Sequence, residues 1–286
     1  MAHPCLDVIA QPYERGGHPC RFSQAAADSA SNPHDEDSDV RLMLEMGLIP
    51  EHERRRLEAI VGPNQSLEEL IARRVSGEPL QYIEGTAAFA SLELVVDERV
   101  LIPRPETEGL FELAARMVRA PEVIVDLCTG SGALALALKK AFPAAAVFAT
   151  DVSPEAVEVA TLNRFRTGLQ VYIAEGDLFD PLPAAILGTV DLIVANPPYV
   201  AEVDFADLPR EVQREPRTAL VSGATGLEVV QRIGAVAAQW LRPGGVFICE
   251  IGDTQGVSAA SSLLNLPGVV RQDLVGRDRY LVAVKP

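Results

Sequence analysis

The chain has 286 residues, 48% of them hydrophobic and 23% charged, enough apolar material for one large domain or two modest ones. A net charge of −15 and a pI near 4.7 argue against a reader of duplex DNA that works through a broad basic face. The sequence has no run of 18 apolar residues, and MAHPCLDVIAQPYERGG lacks the basic and apolar regions of a signal peptide, so no membrane span and a cytoplasmic location are expected. Cys5, Cys20, Cys128 and Cys249 form no CxxC pair and read as free thiols of a reducing compartment.

In chain order, residues 1–39 read as a flexible leader, rich in Ala, Ser and Asp and ending in an acidic run at 34–39. Residues 40–80 read as a helical N-terminal domain. ERRRLEAIVG is a helix stopped by Gly62-Pro63, and Ser66-Leu67-Glu68-Glu69 is a capping box opening a second helix that Gly77 closes. Its Arg54, Arg55, Arg56, Arg73 and Arg74 read as solvated faces, or as local positive charge for an acidic patch on a partner. Residues 81–104 alternate apolar and polar in SLELVVDERVLIP and predict a β-hairpin linker. A helix then starts at Pro105, with Leu110, Ala114, Met117 and Val118 on one face.

From residue 105 to 286 the rhythm is that of an α/β domain. VIVDL, AAVFATD, LQVYIAEGD, VDLIVANPP and GGVFICEIG are strands; GALALALKKAF, PEAVEVATLNRF, TGLEVVQRIGAVAAQWL and QGVSAASSLL are helices. Continuous apolar strands between helices predict a mostly parallel sheet covered on both faces, and VVRQDLV with RYLVAVK an antiparallel edge.

The strand ends carry the chemistry. Asp126-Leu127-Cys128-Thr129-Gly130-Ser131-Gly132 is a glycine turn between strand and helix, where a ligand can approach the backbone. It lacks the third glycine of a dinucleotide fingerprint, since Ala133-Leu134-Ala135 follow. The next strand ends in Asp151, placed to hold the hydroxyls of an adenosine ribose, and the third in Asp177-Leu178, placed to accept from an adenine amino group and to cover its ring. Three acidic strand ends, Asp126, Asp151 and Asp177, outline a slot for S-adenosylmethionine. The fourth strand ends in Asn196-Pro197-Pro198-Tyr199, a stiff turn with exposed carbonyls. The Asn196 side-chain oxygen and the Pro197 carbonyl can accept both hydrogens of one planar NH2 group, with the Tyr199 ring stacked on the group that carries it. All four His residues, at 3, 18, 34 and 52, precede the sheet domain, so a His-based metal site or triad is not expected there, and no metal is needed.

Over about residues 66–286 the chain resembles the HemK/PrmC family of protein-glutamine N5-methyltransferases. The likeness rests on RRVSGEPLQYIEG (73–85), VLIPRPETEGL (100–110), DLCTGSGALALAL (126–138), GDLF (176–179), DLIVANPPYV (191–200) and LRPGGVFICEIGDTQG (241–256). It implies a class I S-adenosylmethionine-dependent methyltransferase domain with a seven-stranded, mostly parallel sheet, behind a small helical domain and a hairpin linker. It further implies a cofactor site at Cys128 to Gly132, Asp151, Leu178 and Asn196, and a grip on the glutamine amide by Asn196, Pro197, Pro198 and Tyr199. The expected products are S-adenosylhomocysteine and a peptide chain release factor methylated at the glutamine of its GGQ motif; a monomer is expected. Cys128 stands where the family more often has Gly, Leu178 where it often has Trp, and Ser222 and Thr225 where it has Gly and Asp. A nucleobase amino group, or a small-molecule amide or amine, is the alternative acceptor. Glu106 and Glu108 read as helix-start charges, and Arg104 as a hinge, a substrate-edge contact or a surface ion pair.

Overall fold

The computed structural model describes residues 49–263 and 265–286. The expected leader, the beginning of the helical segment, Cys5, Cys20, His3, His18 and His34 lie outside the described residues.

Helix α1 (Glu51–Ile60) ends ahead of Gly62-Pro63, and α2 (Leu67–Val75) starts on the predicted box: the Glu69 N–H donates to Ser66 Oγ at 3.1 Å and the Ser66 N–H to Glu69 Oε2 at 3.0 Å. A further turn, α3 (Leu80–Glu84), follows Pro79 and stops at Gly85, whose φ of +73° suits a residue without Cβ. Leu57, Leu70, Ile71, Leu80 and Ile83 close a small core among the three helices.

The hairpin is narrower than the 81–104 expected. Its strands are β1 (Thr86–Phe89) and β2 (Leu92–Val95), paired antiparallel from Thr86↔Val95 to Phe89↔Leu92. Residues 81–84 go into α3 because Tyr82 and Ile83 bury inward from a helical turn, and residues 96–104 run on without strand partners. Phe89 and Leu94 enter the main core and anchor the hairpin to the sheet domain. Tyr82, Val96, Val100 and Ile102 pack on Ala156 and Val159, and the Tyr82 hydroxyl donates to the Val100 carbonyl at 2.6 Å.

The remainder builds one seven-stranded sheet. After α4 (Pro105–Met117) come β3 (Val123–Leu127), α5 (Ala133–Ala141), β4 (Ala146–Asp151), α6 (Pro154–Thr167), β5 (Tyr172–Glu175) and β6 (Val190–Ala195). Then follow α7 (Arg217–Leu220), α8 (Glu228–Trp240), β7 (Leu241–Glu250), α9 (Gly256–Ala260), β8 (Gly268–Gln272) and β9 (Asp278–Val284). The spatial order is β5-β4-β3-β6-β7-β9-β8; β3 to β7 pair in parallel, and β9 and β8 close the far edge antiparallel, as the sequence predicts. Separate apolar clusters cover the two faces, one with α4, α5 and the hairpin, the other with α8 and α9. Trp240 stacks on Phe179 with ring centroids 5.4 Å apart, the packing role its place at a helix end suggests. Among the described residues no helix is long and apolar enough to cross a membrane.

The helical arginines do not form the free positive face considered above. Arg54 pairs with Glu58, Arg55 with Glu51, Arg56 with Glu84, Arg73 with Glu78, and Arg74 with both Glu53 and Glu211. Their acidic partners stand on the same helix, on neighbouring elements or, for Glu211, in the sheet domain.

Candidate active site

The chain runs outward from β3 through β4 to β5, then returns to lay β6 against the other side of β3. At such a reversal the loops leaving the carboxyl ends diverge and leave a crevice. A cavity of about 350 Å³ lies there. Its walls include Cys128, Thr129, Gly130 and Ser131 after β3, Asp151 at the end of β4, Asp177 and Leu178 after β5, and Asn196 and Pro198 after β6. The structure thus brings these predicted residues together at one site.

The turn after β3 winds through left-handed backbone at Cys128 (φ +58°), Gly130 (φ +54°) and Gly132 (φ +83°). A Cβ on Gly130 would meet no protein atom within 4 Å, so the glycine leaves open space beside a backbone that lines the cavity. Cys128 is therefore in the turn itself, at a conformation that favours glycine. Cys128 is half-buried and lines the cavity, while Cys249 is buried; both are free, and burial raises both thiol pKa values.

Asp151 braces this turn. Its Oδ2 accepts from the Gly130 N–H at 2.8 Å and its Oδ1 from the Ser153 N–H at 3.0 Å. Burial raises its pKa, against the pull of those backbone donors. Each oxygen keeps a further lone pair for a ligand. The Thr150 hydroxyl donates to the Leu178 carbonyl at 2.8 Å, tying β4 to the turn that carries Leu178 and Asp177. Asp177 is held by Arg232 of α8, a cavity-lining cation that sequence reading missed.

Four predicted residues are not among those that line the cavity, one of them, Pro197, standing between two that are, Asn196 and Pro198. Asp126 is fully buried: its Oδ2 accepts from Thr129 Oγ1 at 2.6 Å and from the Ala135 N–H at 3.1 Å, so it fastens the turn from within. Burial pushes its pKa up to about 7. Gly132 instead packs on α6, where a Cβ would lie 3.3 Å from that of Ala160. Pro197 is buried, and Tyr199 is half-buried with its carbonyl accepting from Gln255 Nε2 at 2.9 Å. Tyr199 is not among the residues that line the cavity, although its neighbour Pro198 is. Its hydroxyl pKa is raised by burial.

Asn196 is held from behind by a hydrogen-bond chain. Its Nδ2 donates to Thr107 Oγ1 at 3.0 Å, and Thr107 donates onward to Glu250 Oε2 at 2.8 Å. Its Oδ1 is buried without a hydrogen-bond partner among the described residues. A buried acceptor without a partner is costly, and one on a cavity-lining residue is free to take an N–H. The following chain is pinned by the Val200 N–H to the Leu220 carbonyl at 2.9 Å and by a parallel bridge to Val221.

Other side chains complete the site from a distance. Asn163 of α6, fully buried, accepts from the Val95 N–H at 2.7 Å and donates at 2.9 Å to the carbonyls of both Val95 and Ser131, clamping the hairpin to the glycine turn. Glu215, also buried, accepts from the Ile102 N–H at 3.0 Å and pairs with Arg104, the ion pair that is one of the sequence readings of Arg104. Glu108 accepts from the Ala90 N–H at 2.6 Å, and the Glu106 carbonyl from the Tyr280 hydroxyl at 2.8 Å. Among the described residues no cluster of three His, Cys, Asp or Glu side chains could hold a metal ion.

A parallel sheet with this order, an antiparallel edge and a crevice walled by a glycine turn, acidic strand ends and an Asn-Pro-Pro-Tyr turn define a class I methyltransferase. Residues 110–232 match the Methyltransferase small domain family, and a methyltransferase from Pyrococcus furiosus has the same fold, with a TM-score of 0.53 and 22% identity over 69% of this chain and 91% of that one. The release factor glutamine methyltransferase of Mycolicibacterium smegmatis is 43% identical over 225 residues, 77% of this chain and 79% of that protein. That of Deinococcus radiodurans is 39% identical over 253 residues, 86% and 90% of the two chains. The chain belongs to the release factor glutamine methyltransferase family.

Proposed function

We propose that this methyltransferase transfers a methyl group from S-adenosylmethionine to the side-chain amide N5 of the glutamine in the GGQ motif of peptide chain release factors. The observation that carries the reading is the orphaned Oδ1 of Asn196, held in the wall of a nucleoside-sized cavity in a chain whose relatives bear that name.

The residues present fit the cofactor. Asp151 would hold the ribose hydroxyls, Asp177 the adenine amino group with Leu178 against the ring, and the open backbone of Gly130 and Ser131 the amino-acid end. When bound, S-adenosylmethionine supplies a sulfonium methyl as the electrophile. The chain's own task is to prepare the nitrogen. An amide nitrogen is a poor nucleophile because its lone pair is delocalised into the carbonyl. Asn196 Oδ1 and the Pro197 carbonyl, each accepting one of its hydrogens, orient N5 and stabilise the positive charge that grows on it. The Pro197-Pro198 pair keeps the second acceptor rigid. Asp126 and Gly132 support the cofactor turn from beneath.

We read the protein as a cytoplasmic monomer, with the helical segment at 40–76 and the hairpin region at 81–103 supplying a second contact surface that selects one glutamine in a folded partner. The test is label transfer from methyl-labelled S-adenosylmethionine to an intact release factor, to its GGQ→GGA variant and to oligonucleotides, with the label located by mass. Label on the GGQ glutamine alone is expected; label on a nucleobase overturns the reading. Asn196→Ala is expected to slow single-turnover transfer by about 10²–10³-fold, and a near-normal rate removes the amide grip.

A further inference from the structure

The hydrogen-bond chain behind Asn196 has a direction. A carboxylate only accepts, so Glu250 takes the single hydroxyl hydrogen of Thr107, at 2.8 Å. The Thr107 oxygen then offers only lone pairs to Asn196, and the group that meets it must be the Nδ2 amide, at 3.0 Å. Oδ1 is left over, buried and unpartnered. Were Glu250 protonated, it could donate to Thr107, Thr107 could donate to Asn196 Oδ1, and the amide would turn its acceptor inward. We propose that Thr107 and Glu250 are positioning residues for methyl transfer: the ionised carboxylate polarises the Thr107 hydroxyl, which holds Asn196 with its side-chain oxygen free to receive the acceptor's N–H.

The proposal rests on the reading of Asn196 as the acceptor of amide hydrogens, and deepens it. The two residues come from α4 and the end of β7, and neither is needed there for a salt bridge: among the described residues no ion pair reaches Glu250, whose polar contact is Thr107. Both are buried, and Thr107 touches the cavity. Burial pushes the Glu250 pKa up to about 7, so the relay sits near its reversal point at neutral pH. The charged groups around it are Arg279, which like Arg104 favours the anion, and Glu106, which opposes it; Tyr199, Tyr280 and Cys249 also lie within its field.

The test uses the full chain with Thr107→Val, Thr107→Ser and Glu250→Gln, measuring transfer to an intact release factor from pH 5.5 to 8.5 and S-adenosylmethionine affinity by calorimetry. In the wild type, kcat should rise with pH through one step near 7. Thr107→Val should lower kcat by about 10- to 100-fold, by analogy with loss of a group that orients a catalytic hydrogen bond, with cofactor affinity within about threefold, and Thr107→Ser should recover most of the loss. Glu250→Gln, which accepts without titrating, should remove the step. A Thr107→Val enzyme within about twofold of wild type, an equal fall in kcat and cofactor affinity, or a pH step that survives Glu250→Gln overturns the relay. If Thr107→Val does not fold, the Glu250→Gln profile decides. If the wild type leaves the release factor unlabelled, the functional reading fails by itself, and the relay is read from the Asn196 side-chain amide in 1H–15N spectra, identified by its loss in Asn196→Asp. Its protection, meaning exchange corrected for the intrinsic rise of amide exchange with pH, should be at least about tenfold greater in wild type above the step than below it, and Glu250→Gln should remove that change; protection that does not vary with pH in wild type overturns the proposal.

Discussion

Replacing Asn163 by Ala should show how strongly a remote side chain supports the site. Asn163 is fully buried and serves three backbone groups: the Val95 N–H at 2.7 Å, and the Val95 and Ser131 carbonyls at 2.9 Å. The variant leaves all three without partners where solvent does not reach. Each such orphan costs about 1–3 kcal/mol, so the sum is about 3–6 kcal/mol if the chain shifts enough to keep each cost in the lower part of its range. That is a large share of the roughly 5–15 kcal/mol by which a domain is stable. Urea unfolding with linear extrapolation measures it. Because Ser131 belongs to the cofactor turn and Val95 ends β2, S-adenosylmethionine affinity should fall with stability. Asn163→Asp should fare no better: it can accept from Val95 but turns an acceptor toward two carbonyls. A loss below about 1 kcal/mol in Asn163→Ala refutes the clamp.

Asp151→Ala removes the partner of the Gly130 and Ser153 amides and should weaken S-adenosylmethionine by about 1–3 kcal/mol; unchanged calorimetric affinity removes Asp151 from the site. Cys128, at φ +58°, should be better served by Gly, so Cys128→Gly is expected to stabilise the fold by up to about 1 kcal/mol, and thermal melting that shows a clear loss sinks that argument. Asp126→Asn tests the buried carboxyl. Burial raises its pKa from 3.8 to about 7, so between those values the native state binds a proton that the unfolded state releases. Stability from this group therefore falls as pH rises through that window, with the full penalty above 7. The variant, relative to wild type, should gain stability between pH 5 and pH 8; an unchanged difference in urea unfolding free energy refutes the assignment.

Local signals made much of the architecture legible. The capping box at Ser66 and Glu69 is settled within one helical turn, and the continuous apolar strands could be covered only by helices on both faces. The glycine turn, Asp151 and Asn196 could be placed because a strand end and its following loop are contiguous in sequence. Side-chain direction was not so contained. Asp126 and Asp151 both end parallel strands, yet one points under the turn to Thr129 and Ala135 while the other opens to the cavity. The hairpin's period could not reveal that α3 would claim Gln81–Glu84, because the burial of Tyr82 and Ile83 depends on elements elsewhere. The helical arginines looked free until the fold set Glu84 beside Arg56 and Glu211 beside Arg74. The polar supports of the site join residues 89 positions apart from Asn196 to Thr107 and 143 from Thr107 to Glu250. No periodicity encodes such pairs, since a hydrogen bond between distant residues exists only once the packed backbone brings donor and acceptor within 3 Å. The sequence determined which chemical groups stand at the strand ends; tertiary packing decided which of them face the cavity, and which way the Asn196 amide is turned.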